Sequence, residues 1–194
     1  MTIRSLFVSG VAAALLASGP LARAGAVDDH GRPRGVDLAT LGRLTTQDGS
    51  PFATAALRGK PTILFFGYTH CPEVCPATLL EMTTYLRELG EEADRVNVIF
   101  VTVDPERDTV ETLAPYLSNF DPRIVGLTGS IENVDAVVKA FGATRFESTT
   151  GGAYYSVNHT ASTFLIDRYG LLARIVDYGD DRELAKSAAR LLAQ

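Results

Sequence analysis

Two apolar runs limit what this chain can fold into. One is PTILFFGYT at 61–69, the other VNVIFVTV at 96–103. Neither alternates strictly between apolar and polar residues, so a strand built from either must be covered on both faces. The stretch between them supplies one cover. Leu79, Leu80, Met82, Leu86 and Leu89 recur at helical spacings, and Gly90 follows as a stop signal. Strand, helix, strand in that order predicts a parallel pair joined by a crossover helix over 77–89.

The rest of the chain extends this pattern. Residues 109–117 read as a helix whose start, Asp108 with Glu111 three residues on, resembles a capping box. A short strand at 124–127 and a helix at 131–141, ended by Gly142, come next. Strands at 160–166 and 171–176 are joined by the turn signal DRYG, and a helix at 182–192 closes the chain. Upstream, 41–46 and 52–57 flank Gln47-Asp48-Gly49-Ser50 and read as a short hairpin. The predicted fold is α/β, with a central mixed sheet, helices on both faces and an antiparallel edge. Its order resembles the thioredoxin fold with a strand-helix unit inserted in the middle. ATRFESTTGGAYYSVN, 143–158, shows no clear period and reads as a loop, long enough in a compact domain to point to function.

The N-terminus sets the compartment. Arg4 precedes an uncharged apolar run at 6–17, and Ala22-Arg23-Ala24 has the small-x-small pattern of a signal-peptidase site. The run is shorter than the roughly 20 residues that span a bilayer, and Gly19-Pro20 interrupts it. Residues 1–24 therefore read as a signal peptide, with an uncleaved inner-membrane anchor as the alternative. No cysteine lies near the cut, which excludes a lipid-anchored start. Both readings place the folded part outside the cytoplasm, where disulfides form and persist. Residues 25–40 read as a flexible tail that includes His30, and 41–194 as one domain. Without Arg4 and Arg23 the chain carries 16 basic and 23 acidic residues, a net charge of −7 with no Lys/Arg cluster. Nucleic acid is not an expected partner.

The only two cysteines stand in GYTHCPEVCP, 67–76, as Cys71-Pro72 and Cys75-Pro76. A residue before proline is pushed away from the helical region, so both cysteines are predicted to be non-helical. Pro76 suits the first helical position, which makes Cys75 the predicted N-cap. The unpaired N–H groups of a helix start favour negative charge and should lower the pKa of at least one thiol. A structural disulfide closing so small a loop yields only about 2 kcal/mol by chain entropy, which a domain of this size does not need. A redox pair or a metal site is the better reading.

His159 separates those two readings. It follows the long loop and precedes the strand TASTFLID, at the position where redox proteins of the thioredoxin fold carry a cis-proline. Two sulfurs and one imidazole suit copper, as Cu(I) or Cu(II). Structural zinc asks for a fourth protein ligand, and His70, next to Cys71, reads as an electrostatic neighbour rather than that ligand.

GYTHCPEVCP, VTVDPERDT and YSVNHTASTFLID together resemble the three signatures of the Sco/SenC family, in the family's order and spacing, from about residue 41 to the C-terminus. These are thioredoxin-fold copper chaperones of cytochrome c oxidase assembly. The resemblance implies that Cys71, Cys75 and His159 are copper ligands. It implies partners too: the oxidase subunit that holds the binuclear copper centre, a thioredoxin-like reductant and another periplasmic copper chaperone. Asn158 departs from the family's usual Asp and removes a charge beside the metal. Asp104 and Asp108 match the second signature, as turn and cap residues or as docking residues. Two functions share the same thiols: copper delivery, or reduction of the target's cysteines by thiol-disulfide exchange. In the second, Cys71 and Cys75 would be catalytic. The histidine and the CxxxC spacing favour copper delivery.

Overall fold

The computed structural model describes residues 36–149 and 155–192. The signal-peptide reading and most of the tail lie outside these residues. A short 3-10 helix, Leu38–Arg43, begins inside the segment assigned to the tail, with Thr40 and Leu41 buried.

Strand β1 is Thr45–Thr46, β2 is Thr62–Gly67 and helix α1 is Val74–Leu89. Strand β3 is Asn97–Thr102, α2 is Val110–Leu117, β4 is Ile124–Thr128 and α3 is Ile131–Ala140. Strands β5, Arg145–Thr149, and β6, Tyr155–His159, precede β7, Thr163–Ile166, β8, Leu172–Val176, and α4, Asp181–Leu192. Six strands form one sheet in the order β1-β4-β3-β2-β7-β8. The β2–β3 and β3–β4 pairs are parallel, and the remaining pairs are antiparallel. The α2–β4 unit is the insertion, and it places β4 beside β3.

Both apolar runs are central strands. All six residues of β2 are buried, and successive side chains enter opposite layers. Ile63 and Phe65 pack with Leu79, Met82, Leu86, Leu113 and Leu184 from α1, α2 and α4. Leu64 and Phe66 pack with Val134, Val137 and Phe141 from the α3 side. Each fully buried aliphatic or aromatic side chain contributes about 1.5–3 kcal/mol, so these two layers hold the sheet. Gly90 caps α1 with φ +56°, a conformation costly for any residue with a Cβ.

Four expectations are corrected. Residues 41–46 and 52–57 share only an isolated bridge, Thr45 to Pro51, and β1 instead pairs with β4. Gln47 directs this outcome, because its side chain both donates to Ile124 O and accepts from Gly126 N–H. The N-cap of α2 is Thr109, not Asp108, whose carboxylate is drawn away to other partners. The stretch 143–158 is not an unstructured loop. Its described part is a two-stranded antiparallel ribbon, β5–β6, separate from the main sheet. Finally, α1 starts at Val74, so Cys75 lies inside its first turn and Glu73 is the N-cap. Pro76 causes no conflict there, since N–H groups of the first turn have no carbonyl partner to lose.

Candidate metal centre

The thiol loop joins the end of β2 to α1. Cys71 N–H donates to the Tyr68 carbonyl at 3.1 Å, a turn that leaves Cys71 half-buried. Cys75 is 2% exposed. Both thiols are free. With Cys75 in the first helical turn, its N–H is one of the helix's orphan donors, and it points to Cys71 Sγ at 3.4 Å. The Cys71 sulfur thus acts as the helix cap.

This geometry divides the two thiols. The Cys75 thiol donates to Cys71, and the N–H groups of Cys75 and Glu73 do the same. The nearby His159 ring also favours the thiolate, as the smallest contribution. Together these lower the Cys71 pKa from 9.0 to about 5, against the opposing effect of burial. Cys75 moves the other way, because its S–H donates to the Cys71 sulfur and because it is buried. The helix start therefore favours one thiolate, as the sequence implies, and that thiolate is on Cys71.

Gly67 makes room for the buried sulfur. A Cβ there would lie 2.8 Å from Cys75 Sγ and 2.6 Å from the Phe100 ring. Asp108 fixes the loop from below. Its carboxylate accepts from Thr69 N–H at 3.0 Å, from the Thr69 hydroxyl at 2.6 Å and from the Thr102 hydroxyl at 2.6 Å. Asp108 is fully buried, and Asp104 is 2% exposed. Neither presents its carboxylate to a partner. Each is an internal strut, which replaces both the cap and the docking readings.

His159 ends β6, opposite Arg145 in the ribbon. Its Nδ1 lies 2.9 Å from the Val157 carbonyl, which can only accept, so Nδ1 carries the proton. In the neutral ring this leaves Nε2 with its lone pair. That atom is buried and has no hydrogen-bond partner among the described residues. The ring stands edge-to-face on Tyr68, with centroids 5.7 Å apart. A buried imidazole nitrogen without a partner, beside a thiol pair, has the donor chemistry of a soft-metal ligand. The three side chains are not drawn into one cluster. Among the described residues no three of His, Cys, Asp or Glu stand close enough to hold a metal ion. His70 is exposed, with Nδ1 3.0 Å from the Thr69 hydroxyl, and it stays a neighbour of the loop.

Three residues near the site lie within the quoted motifs but receive no role of their own from the sequence. Arg107 stacks on Tyr155, Tyr68 stacks on His159, and Gly67 backs Cys75. Arg107 lies between Asp104 and Asp108, and a cation between two acids in a turn is the cue that could have drawn attention to it.

A model of the SCO1/SenC family matches residues 38–193. A SCO2-like protein of Rickettsia prowazekii is 37% identical over 130 residues, covering 66% of this chain and 63% of the relative. The mitochondrial protein SCO2 of Saccharomyces cerevisiae is 38% identical over 132 residues, covering 66% of this chain and 43% of the relative. The chain thus spans less than two thirds of the length of these curated relatives. Among solved structures, ScoI of Bradyrhizobium japonicum with copper bound is 41% identical. It superposes with a TM-score of 0.70 over 76% of this chain and 95% of that one.

Proposed function

The chain belongs to the SCO1/SenC family, and from that premise we propose that it carries copper as cargo, held by Cys71, Cys75 and His159. Its recipient is the subunit of cytochrome c oxidase that holds the binuclear copper centre. The observation that carries this reading is the buried Nε2 of His159, unpartnered among the described residues, beside two free thiols. Two sulfurs and an imidazole form a soft donor set that suits copper, and Cu(I) accepts three ligands. The chain's own residues prepare the site. Cys71 is already a thiolate at neutral pH, Cys75 gives up its proton as the metal enters, and Nδ1–H to Val157 aims the imidazole. We also propose that residues 1–24 direct export, so that the domain works on the periplasmic side of the membrane. Among the described residues no helix is long and apolar enough to cross a membrane. A thioredoxin-like reductant keeps the thiols loadable in that oxidising compartment, and a second periplasmic copper chaperone supplies the cargo.

A second reading rests on the division between the thiols. A low-pKa, half-buried Cys71 backed by a buried, protonated Cys75 also suits dithiol exchange. Cys71 thiolate attacks a target disulfide and forms a mixed disulfide, releasing one target thiolate, which takes up a proton. Cys75 loses its proton and attacks Cys71, forming the Cys71–Cys75 bond and releasing the second target thiol. Two electrons pass to the target.

His159→Ala separates the two. A copper site loses one of three ligands, whereas the thiol pair keeps its exchange chemistry. The expected result is weaker Cu(I) binding, a changed coordination spectrum, retained thiol-disulfide exchange, and oxidase assembly only with excess copper. Cys71→Ala and Cys75→Ala lose both activities. Normal copper affinity and spectrum in His159→Ala would remove His159 from the ligand set and favour the reductase.

A further inference from the structure

We propose that Arg107 is a positioning residue, which fixes the strand carrying His159 against the thiol loop and thereby sets copper affinity. The proposal rests on the copper-site reading and adds to it a residue that touches none of the three ligands.

The β5–β6 ribbon pairs with itself and not with the six-stranded sheet. Backbone hydrogen bonding therefore does not fix its place on the domain, and side chains must. Arg107 makes several such contacts from one guanidinium. Nε donates to the Asp104 carboxylate, and Nη1 donates to the Tyr155 carbonyl at 3.1 Å. The flat face of the group lies over the Tyr155 ring, with Cζ 3.7 Å from its centroid. The Tyr155 hydroxyl closes the arrangement by donating to Asp104 at 2.7 Å. Tyr155 begins β6 and His159 ends it.

The same guanidinium reaches the other half of the site, since Cζ is 5.8 Å from the Tyr68 ring. Tyr68 stands edge-to-face on His159, and its carbonyl accepts the Cys71 N–H. The contacts form a closed circuit: Arg107 to Tyr155, along β6 to His159, across to Tyr68, and back to Arg107. The thiol loop joins this circuit at Tyr68. A flat, delocalised cation with a donor fork can stack and donate at once, which an ammonium cannot, so lysine is not an equivalent here.

The test compares Arg107→Ala, Arg107→Lys, Tyr155→Ala, Tyr155→Phe and His159→Ala, all reduced. Cu(I) is titrated anaerobically against a competing chelator, and the Cu(II) form is examined by electron paramagnetic resonance for nitrogen coupling. Arg107→Ala is expected to bind Cu(I) about 10- to 100-fold more weakly, as for other residues that orient a ligand, and to lose part of the nitrogen coupling. Lysine should not restore either. In the metal-free protein the Thr160 amide, bonded to the Thr144 carbonyl at the ribbon's base, should exchange faster. Tyr155→Phe keeps the ring under Arg107 and should bind more tightly than Tyr155→Ala.

If Arg107→Ala keeps normal affinity and nitrogen coupling while His159→Ala is impaired, the positioning role is wrong and the copper site stands. If His159→Ala is itself unimpaired, the copper-site reading fails first and the proposal falls with it. Should Arg107→Ala fail to fold, Tyr155→Ala decides the matter. It removes the stacking face and the hydroxyl, and normal copper binding in it would overturn the proposal.

Discussion

Asp108 and Thr69, thirty-nine positions apart, are joined twice: the carboxylate accepts the Thr69 N–H at 3.0 Å and the Thr69 hydroxyl at 2.6 Å. This pair ties the thiol loop to the turn that follows β3. Asp108→Ala should leave Thr69 and Thr102 without their acceptor and cost about 3 kcal/mol, measured by denaturant unfolding. The Thr69 amide should exchange much faster than in the unsubstituted protein. An unchanged exchange rate would show that the loop is held by other contacts.

The same carboxyl predicts a pH dependence. Burial raises the Asp108 pKa above its ordinary 3.8, so the folded protein holds this proton more tightly than the unfolded chain does. The contribution of the group to stability therefore grows as pH falls from neutral through the raised value, and is complete below 3.8. Asp108→Asn cannot titrate. The stability difference between the two proteins should shift in favour of Asp108 as acid is added. A difference that stays flat between neutral pH and pH 4 would contradict the raised pKa.

Alkylation should distinguish the thiols. The Cys71 thiolate is populated above about pH 5 rather than 9.0, so its reaction with iodoacetamide should rise with a midpoint near that value. Cys75, buried and pushed upward, should react slowly throughout. Cys75→Ala removes a donor to Cys71 and should move the Cys71 midpoint upward. A midpoint left in place would mean that the backbone N–H groups alone hold the thiolate.

Copper loading should release protons in a defined number. One thiol of the pair is ionised at pH 7 and the other is not. Cu(I) uptake by both sulfurs should then release about one proton per metal, not two. Titration calorimetry in buffers of different ionisation heat measures this number. The Cys71–Cys75 disulfide form has no thiolate to offer and should bind copper poorly. Equal uptake by the oxidised and reduced forms would count against sulfur ligation.

Gly67→Ala tests the close packing behind Cys75. The added Cβ would meet Cys75 Sγ at 2.8 Å and Phe100 at 2.6 Å. Overpacking of this kind costs about 1–3 kcal/mol. The sulfur should be displaced toward solvent, so Cys75 should become more reactive to alkylation although the domain is less stable. Reduced reactivity would mean that the strand, not the sulfur, gives way.

The main sheet is readable in the sequence because β2 and β3 are continuous apolar runs, which only a doubly covered strand can bury. The ribbon is not readable, since its positions carry Arg145, Glu147, Ser148, Ser156 and Asn158 among few apolar residues. Among the described residues there, only Val157 is buried as a core residue. The proposed ligands Cys71, Cys75 and His159 stand out as candidates because soft-metal donors are scarce in this chain. Their supports do not. The Asp108–Thr69 bonds span too much sequence for any spacing rule, and a local capping pattern obscures them. The pre-proline rule places Cys71 correctly in the loop but misplaces Cys75, because the first helical turn tolerates a proline that later turns do not.

The separation of the β5–β6 ribbon from the main sheet has an evolutionary consequence. A substitution in β2 or β3 disturbs the two core layers and is felt first as lost stability. Phe146, Glu147, Ser156 and Asn158 of the ribbon are exposed, Phe146 at 60%, and neither ribbon strand pairs with the sheet. Changes there can alter where the imidazole stands while the folded population stays nearly constant. On the proposed copper-carrier reading, grip on the metal and endurance of the domain are therefore separable traits, and selection can retune the first without revising the second.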